Sequence, residues 1–592
     1  MHNLSERVGL VHSEYLYRLS GLAVPLLFCA GVQAAVITPD AGSLGGQLRQ
    51  GTDITPPAPV SAPLVLPEGG ASAPRPAGAR DTTVVVNRII FTDIPAGVKG
   101  VDEAALQKQV AGYLRRPLTF TGLSEMTQGV TDLYRQKGLL VARAILPPQT
   151  IRDGVLTVQI IPGRYDSAQV SNASVLRSSV VERMVRTTTP QGEVVTRKQL
   201  ERVALLLNEI PGVSAAVSLK EGQESGTSAL DISIKPGKRL GGYVGLDNQG
   251  NTVTGRSRVM AGFYASELLG FGDQLRVDLL DAWENSDLFN GALDYSLLVG
   301  GAGTRVGASY SHLNYHYNVN GLGFDGYSDN WGVYVTQSWI RTARARVDVR
   351  LDAGQQFMTD TYPQMFTIFT SGERKGRKQV DYGSLSLLGS VASTPGGITA
   401  FNLQGTAGNM DYRNVVANFF NNSENDGQFS RLNWLVSHDQ QVWGPFSFYA
   451  SLNGQAASRN LDSSQKFLMG GPGAVRAYDV GDGSVDTGNV MTAEVRSDWA
   501  IPVTRWLGND PKLTLATFYD YGHGKQFKND DGGRLAGKDN SFSLAGAGLY
   551  ATVADANNYA LTMTWAHRTG DVDPVSGSSD HDRFWVTAVK TF

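Results

Sequence analysis

The second half of the chain alternates apolar and polar residues with the two-residue period of a β-strand. In 343–353, Ala343, Ala345, Val347, Val349, Leu351 and Ala353 alternate with Arg344, Arg346, Asp348, Arg350 and Asp352. The same period sets Leu275, Val277 and Leu279 around Arg276 and Asp278. It also sets Met491, Ala493, Val495 and Trp499 against Glu494, Arg496 and Asp498. Strands of a membrane barrel carry this signature over about ten residues, apolar toward lipid and polar toward the lumen. A soluble sandwich also alternates. Here, however, the stripes come with aromatics near strand ends, and polar runs at 316–330, 418–428 and 525–541 read as long loops. The chain ends on Phe584, Val586, Ala588, Lys590 and Phe592, an apolar face that Lys590 interrupts. At about 20–24 residues per strand and connection, Gly237 to Phe592 holds about 15–18 strands; bacterial barrels use even numbers, so sixteen is expected.

The first half switches to mixed periods. Val84–Phe91 is a β-branched run, followed by an amphipathic helix at about Asp102–Arg115. A second helix, about Leu123–Lys137, places Met126, Val130, Leu133 and Tyr134 on one face and stops at Gly138. Strands at about Leu139–Leu146 and Val155–Ile161 close this unit. The order then repeats: a strand near Tyr165–Val170, a helix over about Val175–Arg186, and a helix capped by Thr196 with Leu200, Val203, Leu207 and Ile210 on one face. Strands near Val213–Leu219 and Ala229–Ile234 complete the second unit. Ahead of both, residues 51–82 are rich in Pro, Ala and Gly and read as an extended linker. Pro39–Gln50 is a marginal helix, weakened by Gly45-Gly46.

Composition narrows the class. The net charge is −3 with 18 % charged residues, which gives no reason to expect a nucleic-acid partner. The 68 glycines exceed the usual share of roughly 7 % and fit the turns and corners of a barrel. The single cysteine, Cys29, lies in the apolar run Leu19–Gly31 after Arg18, with a small-residue cleavage pattern near Ala34; residues 1–34 read as a signal peptide. No later stretch reaches 18 consecutive apolar residues, so no transmembrane helix follows. No nucleophile and base stand together, so neither catalysis nor a cofactor is expected. His312 and His316 share a strand face without a third ligand and read as interfacial or loop residues. The aspartates of 479–486 lack calcium-loop spacing and read as a solvated loop. Gly301, Gly303 and Gly307 miss the dinucleotide pattern. No metal site is expected.

Local motifs then give a resemblance. Tyr134–Gly163, Asn208–Val213 (NEIPGV), Leu246–Gly250 with Thr254-Gly255, Gly470–Tyr478 (GGPGAVRAY) and Phe518–Gly522 (FYDYG) together resemble the two-partner secretion outer-membrane transporters. This is the TpsB family, of the haemolysin-activator and filamentous-haemagglutinin-transporter type. The likeness spans nearly the whole mature chain. It implies a plug-like helix at 35–50, POTRA domains at 83–163 and 164–236, and a sixteen-stranded outer-membrane barrel at 237–592, with the POTRA domains in the periplasm.

The resemblance further implies that Val475, Arg476, Ala477 and Tyr478 form a loop folded into the lumen. Arg476 would then pair with Asp520 of the strand motif Phe518, Asp520, Gly522. Strand parity independently puts Asp520 on the inner face with Thr514, Ala516 and Phe518, opposite Leu513, Leu515, Tyr519 and Tyr521. Ala477 stands where the family usually has glycine, and a positive φ there would strain it. The implied partners are a large secreted protein captured by the POTRA domains, outer-membrane lipid, and the barrel assembly machinery that inserts such pores. An assembly factor of the same superfamily is the alternative reading, and a passive porin a more distant one.

Overall fold

The computed structural model describes residues 39–52, 64–65, 83–98, 100–282, 284, 287–421, 423–502, 511–529, 540–555, 558–570 and 580–592. The expected signal peptide and most of the expected linker lie outside these residues. The described chain begins with a helix, α1 (Ala41–Thr52), and a two-residue strand, β1 (Leu64–Val65).

The first mixed unit runs β2 (Val84–Val85), β3 (Arg88–Thr92), α2 (Glu103–Val110), β4 (Pro117–Leu118), α3 (Phe120–Gln136), β5 (Arg143–Ile145) and β6 (Val155–Ile161). Asp102 and Thr119 cap the two helices by accepting from Ala105 N and Gly122 N at 2.9 and 3.2 Å. α3 stops before Gly138, whose φ of 90° favours glycine. Ile89, Phe91, Met126, Val130, Tyr134, Leu156, Val158 and Ile160 form the core beneath the helices. The strand expected from Leu139 starts only at Arg143. Leu139 is instead drawn under the end of α3, its N–H donating to Tyr134 O at 3.0 Å.

The second unit runs β7 (Arg164–Asn172), α4 (Ser178–Thr188), α5 (Arg197–Asn208), β8 (Val213–Glu221) and β9 (Thr227–Pro236). α4 starts three residues later than expected because the Asn172 side chain organises a turn, accepting from Ser174 N at 2.9 Å. Leu200, Val203, Leu207 and Ile210 of the α5 region are all buried against the sheet, as their spacing predicts. The sheet order is β1-β8-β9-β7, with the linker strand added at one edge.

The remainder is a closed barrel of sixteen strands, each antiparallel to the next. Its first eight are β10 (Leu240–Asp247), β11 (Arg258–Ser266), β12 (Gln274–Ala282), β13 (Asp287–Val299), β14 (Thr304–Val319), β15 (Leu322–Thr342), β16 (Ala345–Thr361) and β17 (Lys375–Thr394). β18 (Gly397–Tyr412), a short helix α6 (Val415–Phe420), β19 (Gly427–Trp443) and β20 (Phe446–Ala457) follow. A long connection carries the small hairpin β21 (Phe467–Leu468) and β22 (Ser484–Val485). The wall resumes with β23 (Thr487–Ala500), β24 (Pro511–Lys525), β25 (Ser541–Asp555), β26 (Tyr559–Arg568) and β27 (Asp582–Thr591), and β27 pairs with β10 to close the cylinder.

Exposed Leu279, Leu351, Leu385, Met491, Val495, Leu515 and Met563 make the outer apolar band. Trp339, Trp443 and Trp499 lie at the strand ends nearest the mixed units, where aromatic girdles belong. Lys590 also has an account: its ammonium donates to Asn558 in the turn between β25 and β26, so it sits at the rim rather than mid-membrane.

One expected loop is absent. Residues 316–330 lie almost wholly in the strands of the β14–β15 hairpin, whose tip is Asn320-Gly321 with φ of 52° and 77°. Asn-Gly with both φ values positive matches the type I′ hairpin turn. The run is polar because the hairpin is long enough to extend past the apolar band. Residues 418–428 do connect β18 to β19, through the end of α6 and a short 3₁₀ turn, and most of 525–541 lies outside the described residues.

The second mixed unit is joined to one rim of the barrel. Arg341 Nε donates to Glu209 at 2.8 Å, and Arg341 Nη2 to Asp348 at 2.6 Å; Arg346 reaches Glu209 at 2.9 Å. Arg202 donates to the carbonyls of Ala302 and Ser338. This rim therefore faces the mixed units, and the opposite strand ends point away from them.

Candidate functional site

The long connection between β20 and β23 folds into the lumen, and acidic residues pin it there. Arg583 of β27 forms a bidentate pair with Asp479 at 2.9 and 3.0 Å. Lys466 reaches Asp486 at 2.6 Å, and Asp482 accepts from Asp479 N at 3.0 Å. All three aspartates are buried. The expectation of a solvated loop at 479–486 is thus corrected. Asp479 and Asp486 face inward because their cationic partners come from the barrel wall and from the loop itself, and Asp482 because it takes a backbone N–H of the loop.

With the loop so held, its tip meets the wall residue by residue. Gly522 leaves room for Val475: a Cβ added there would lie 3.1 Å from Val475 Cγ2. Arg476 is held most tightly. Nε and Nη2 donate to the two oxygens of Asp520 at 2.8 and 2.7 Å, and Nη1 reaches Glu494 at 2.8 Å. The Arg476 backbone N–H also donates to Asp520 at 3.1 Å, and Thr492 Oγ1 donates to the same carboxylate at 2.9 Å. The guanidinium lies 3.4 Å from the centre of the Phe518 ring. Trp585 Nε1 donates to the Arg476 carbonyl at 2.7 Å.

Phe518, Asp520 and Gly522 therefore share the inner face and serve three purposes: a ring beneath the cation, a carboxylate to pair it, and a gap for its neighbour. Planar bidentate pairing of this kind fixes orientation as well as charge. Asp520 is fully buried, so neither member can leave without stranding the other.

Ala477 takes no left-handed angle; among described non-glycine residues these occur only at Asp93, Arg115, Asp153, Glu267, Asn320 and Ser371. The alanine is unstrained, and its methyl has its own berth. A Cβ added to Gly546 would lie 2.4 Å from Ala477 Cβ, so the space between loop and β25 is filled from the loop side. Tyr478 is buried beside Arg568 of β26, 4.9 Å from guanidinium carbon to ring centre. Gly546→Ala should dislodge the tip by overpacking, at a cost of about 1–3 kcal/mol. Adding Ala477→Gly should restore it. Protease sensitivity of the loop in intact outer membranes reads this; equal sensitivity in the wild type and Gly546→Ala would refute the fit.

A second element occupies the outer half of the lumen. α1 is capped by Asp40, which accepts from Ser43 N at 2.8 Å, and its Ala41 and Leu44 pack among Leu313, Tyr315, Tyr317, Met358 and Met410 of the inner wall. Asp40 accepts from Lys378 Nζ and Ser463 Oγ at 2.6 Å each, and Ala41 N donates to Asp360 at 2.8 Å. Tyr317 OH donates to Pro39 O at 2.7 Å. Lys378 is buried between Asp40 and Asp462, the latter at 3.4 Å. Gly42 lets the helix approach the 463–465 turn, since a Cβ there would be 2.7 Å from Ser464 Cβ. Burial favours the neutral Asp40 carboxyl, but the Lys378 charge and the hydrogen bonds from Lys378, Ser463 and Ser43 outweigh it and lower the pKa to about 2.

Sequence reasoning reached Arg476 and Asp520 but not Glu494 as a second carboxylate for the arginine, nor Lys378, Asp462 or Arg583. The polar parity of β23 was the available signal for Glu494. His312 bonds Asp329 at 2.8 Å, and His316 meets Asn318. No cluster suited to a metal ion occurs among the described residues.

Residues 93–163 match the POTRA domain of ShlB type, and residues 226–363 and 373–548 match the haemolysin secretion/activation protein family ShlB/FhaC/HecB. The chain belongs to this family. The heme/hemopexin transporter protein HuxB of Haemophilus influenzae strain 86-028NP is 33 % identical over 81 % of this chain and 82 % of its own length. The outer membrane transporter CdiB of Dickeya dadantii is 24 % identical over 78 % of this chain and 79 % of its own. The solved structure of CdiB from Escherichia coli shares the fold, with a TM-score of 0.70 at 18 % identity, covering 94 % of this chain and all of that one. The protein is an outer-membrane transporter of the two-partner secretion type. Its barrel spans the membrane and its POTRA domains stand in the periplasm, as the sequence predicts. The family is one of secretion channels.

Proposed function

We propose that this pore exports one large β-rich partner and rests closed by two inward elements, α1 and the Arg476 loop. The observation that carries this is the shared anchoring of both elements: α1 packs on the 463–465 turn, which belongs to the same connection as Arg476. Of the expected plug-like segment 35–50, residues 39–50 are described and fall in α1 and its Asp40 cap.

The POTRA domains capture the partner's N-terminal secretion domain by strand addition at an open sheet edge, with side-chain contacts in the adjoining groove. α1 then leaves, and the partner passes the Arg476 loop in an extended form. No nucleotide is available in the periplasm, so folding of the partner outside supplies the direction. The barrel assembly machinery inserts the pore, and lipid contacts its outer band; no catalytic step is involved. HuxB, named for heme/hemopexin, puts a heme-acquisition protein ahead of a contact-dependent toxin among the candidate cargoes.

Deleting residues 84–235 should leave a membrane-inserted channel that secretes nothing, measured as barrel in the outer membrane and partner in the supernatant. Continued secretion would defeat periplasmic capture.

A further inference from the structure

The outer end of β17 carries different chemistry on its two faces. Lys378 turns inward to Asp40. The two-residue period therefore turns Lys375 and Arg377 outward, in line with exposed Leu385 of the apolar band. On β18, Tyr412 turns inward to Asp462, which puts the next residue, Arg413, on the outer side. Arg413 N donates to the Arg377 carbonyl at 2.9 Å, so the two arginines are ladder neighbours. Asn414 fixes the group, accepting from Arg377 N at 3.1 Å and donating to Lys375 O at 2.6 Å. Asp411 and Gln379 take the Arg413 guanidinium, the former at 2.7 Å. The exposed side chains of Lys375 and Arg377 have no hydrogen-bond or ion-pair partner among the described residues. Across 373–377 and 411–413, positive side chains outnumber carboxylates by two.

Height places this patch against lipid headgroups. Arg377 stands eight residues past Leu385, about 26 Å along a strand at about 3.3 Å per residue. At a tilt of about 40° that is about 20 Å along the membrane normal, beyond the edge of an apolar band about 25 Å tall. Phe357 of β16, exposed and paired with Gln379, marks the aromatic level one outward position below Arg377. Beside Arg413, a shallow hollow of about 490 Å³ is lined by Tyr412, Arg413, Asn414, Val415, Asn418 and Phe419. Elsewhere at this end of the barrel, Arg256 and Arg583 reach Asp479 of the inward loop. Lys525 faces outward by itself, between Thr487 of β23 and Ser541 of β25.

We propose that Lys375, Arg377 and Arg413 bind a phosphate of an outer-leaflet glycolipid of the lipid A type, and that the hollow takes its sugar. A phosphate ester offers several acceptor oxygens to a guanidinium fork and an ammonium. Asn414 and Asn418 bring amides, and Phe419 an exposed ring, to the adjoining sugar. Charge complementarity selects the occupant, because the patch is cationic where the outer leaflet presents its phosphates. The exported partner does not compete for it, since that chain travels on the inner side of this wall.

The test uses the full chain in detergent micelles, with bound lipid counted by native mass spectrometry. The probes are lipid A with both phosphates, the same lipid A dephosphorylated, and inorganic phosphate. The wild type should bind phosphorylated lipid A at least about tenfold more tightly than the dephosphorylated form. Lys375→Ser with Arg377→Ser should lose that preference, whereas Arg377→Lys alone should keep part of it. Lys525→Ser, equally exposed but isolated, should bind as the wild type does. Heat-modifiable mobility checks that each variant keeps its barrel, and the partial binding by Arg377→Lys reads the site without removing its charge. Equal binding by the double variant and the wild type would overturn the proposal. An equal loss in Lys525→Ser would also overturn it, by making the attraction general rather than local. Displacement of lipid A by inorganic phosphate at millimolar concentration would overturn the lipid as occupant and give the site to free phosphate.

Discussion

Arg476→Ala abolishes secretion while the barrel remains in the outer membrane in normal amount. Among the described residues, the substitution removes the one cation that faces Asp520 and one of two that face Glu494, and it takes the stacking partner from Phe518. Breaking a buried pair from one side costs about 3–5 kcal/mol, because the remaining charge has no water to turn to. The wall does not depend on this pair for its ladders, which run uninterrupted between β23, β24 and β25. The loss therefore falls on the loop. Arg476→Lys should recover little, since an ammonium cannot make the two-pronged contact. Partner in the supernatant and heat-modifiable barrel in the membrane are the two measurements. Normal secretion by Arg476→Ala would remove the loop from the mechanism.

Deletion of residues 39–52 opens the channel. The helix fills the outer lumen among Leu313, Tyr315, Tyr317 and Met410, and its removal leaves no described residue in that volume other than wall and loop. Single-channel conductance in planar bilayers should rise several-fold. Asp40→Ala should give a milder form, with frequent brief openings, since it removes both the cap, worth about 0.5–2 kcal/mol, and the contacts with Lys378 and Ser463. Because the Asp40 carboxyl is lowered to about 2, the ion pair contributes fully above about pH 4 and is lost only as the pH falls toward 2. The Asp40–Lys378 pair should accordingly be intact throughout pH 5 to 8. Unchanged conductance after the deletion would show that α1 does not plug the pore.

Much of this was legible in the sequence because a membrane imposes alternation on whatever crosses it. The inward placement of Asp520 followed from parity alone, and the helix faces of both POTRA domains from spacing. The misreadings have a shared cause, which is that composition does not say what lies across the fold. Residues 316–330 are polar because the β14–β15 hairpin rises past the apolar band, and that looks the same as a loop in one dimension. Asp479 looked solvated because its partner, Arg583, is distant along the chain. The Gly45-Gly46 pair left the expected helix at Pro39–Gln50 marginal, whereas the neighbouring Gly42 is what lets α1 sit against Ser464. The pairing of β1 with β8 had no signal beyond a short apolar run between prolines.

The central claim is export of a dedicated partner, and comparing culture supernatants tests it most directly. Proteins released by cells carrying the intact chain, the chain lacking residues 84–235, or neither would be quantified by mass spectrometry. One very large protein should be present only with the intact chain, while the outer-membrane protein profile stays the same in all three. Identical supernatants, or a general loss of other barrels from the outer membrane, would contradict the account and favour an assembly factor.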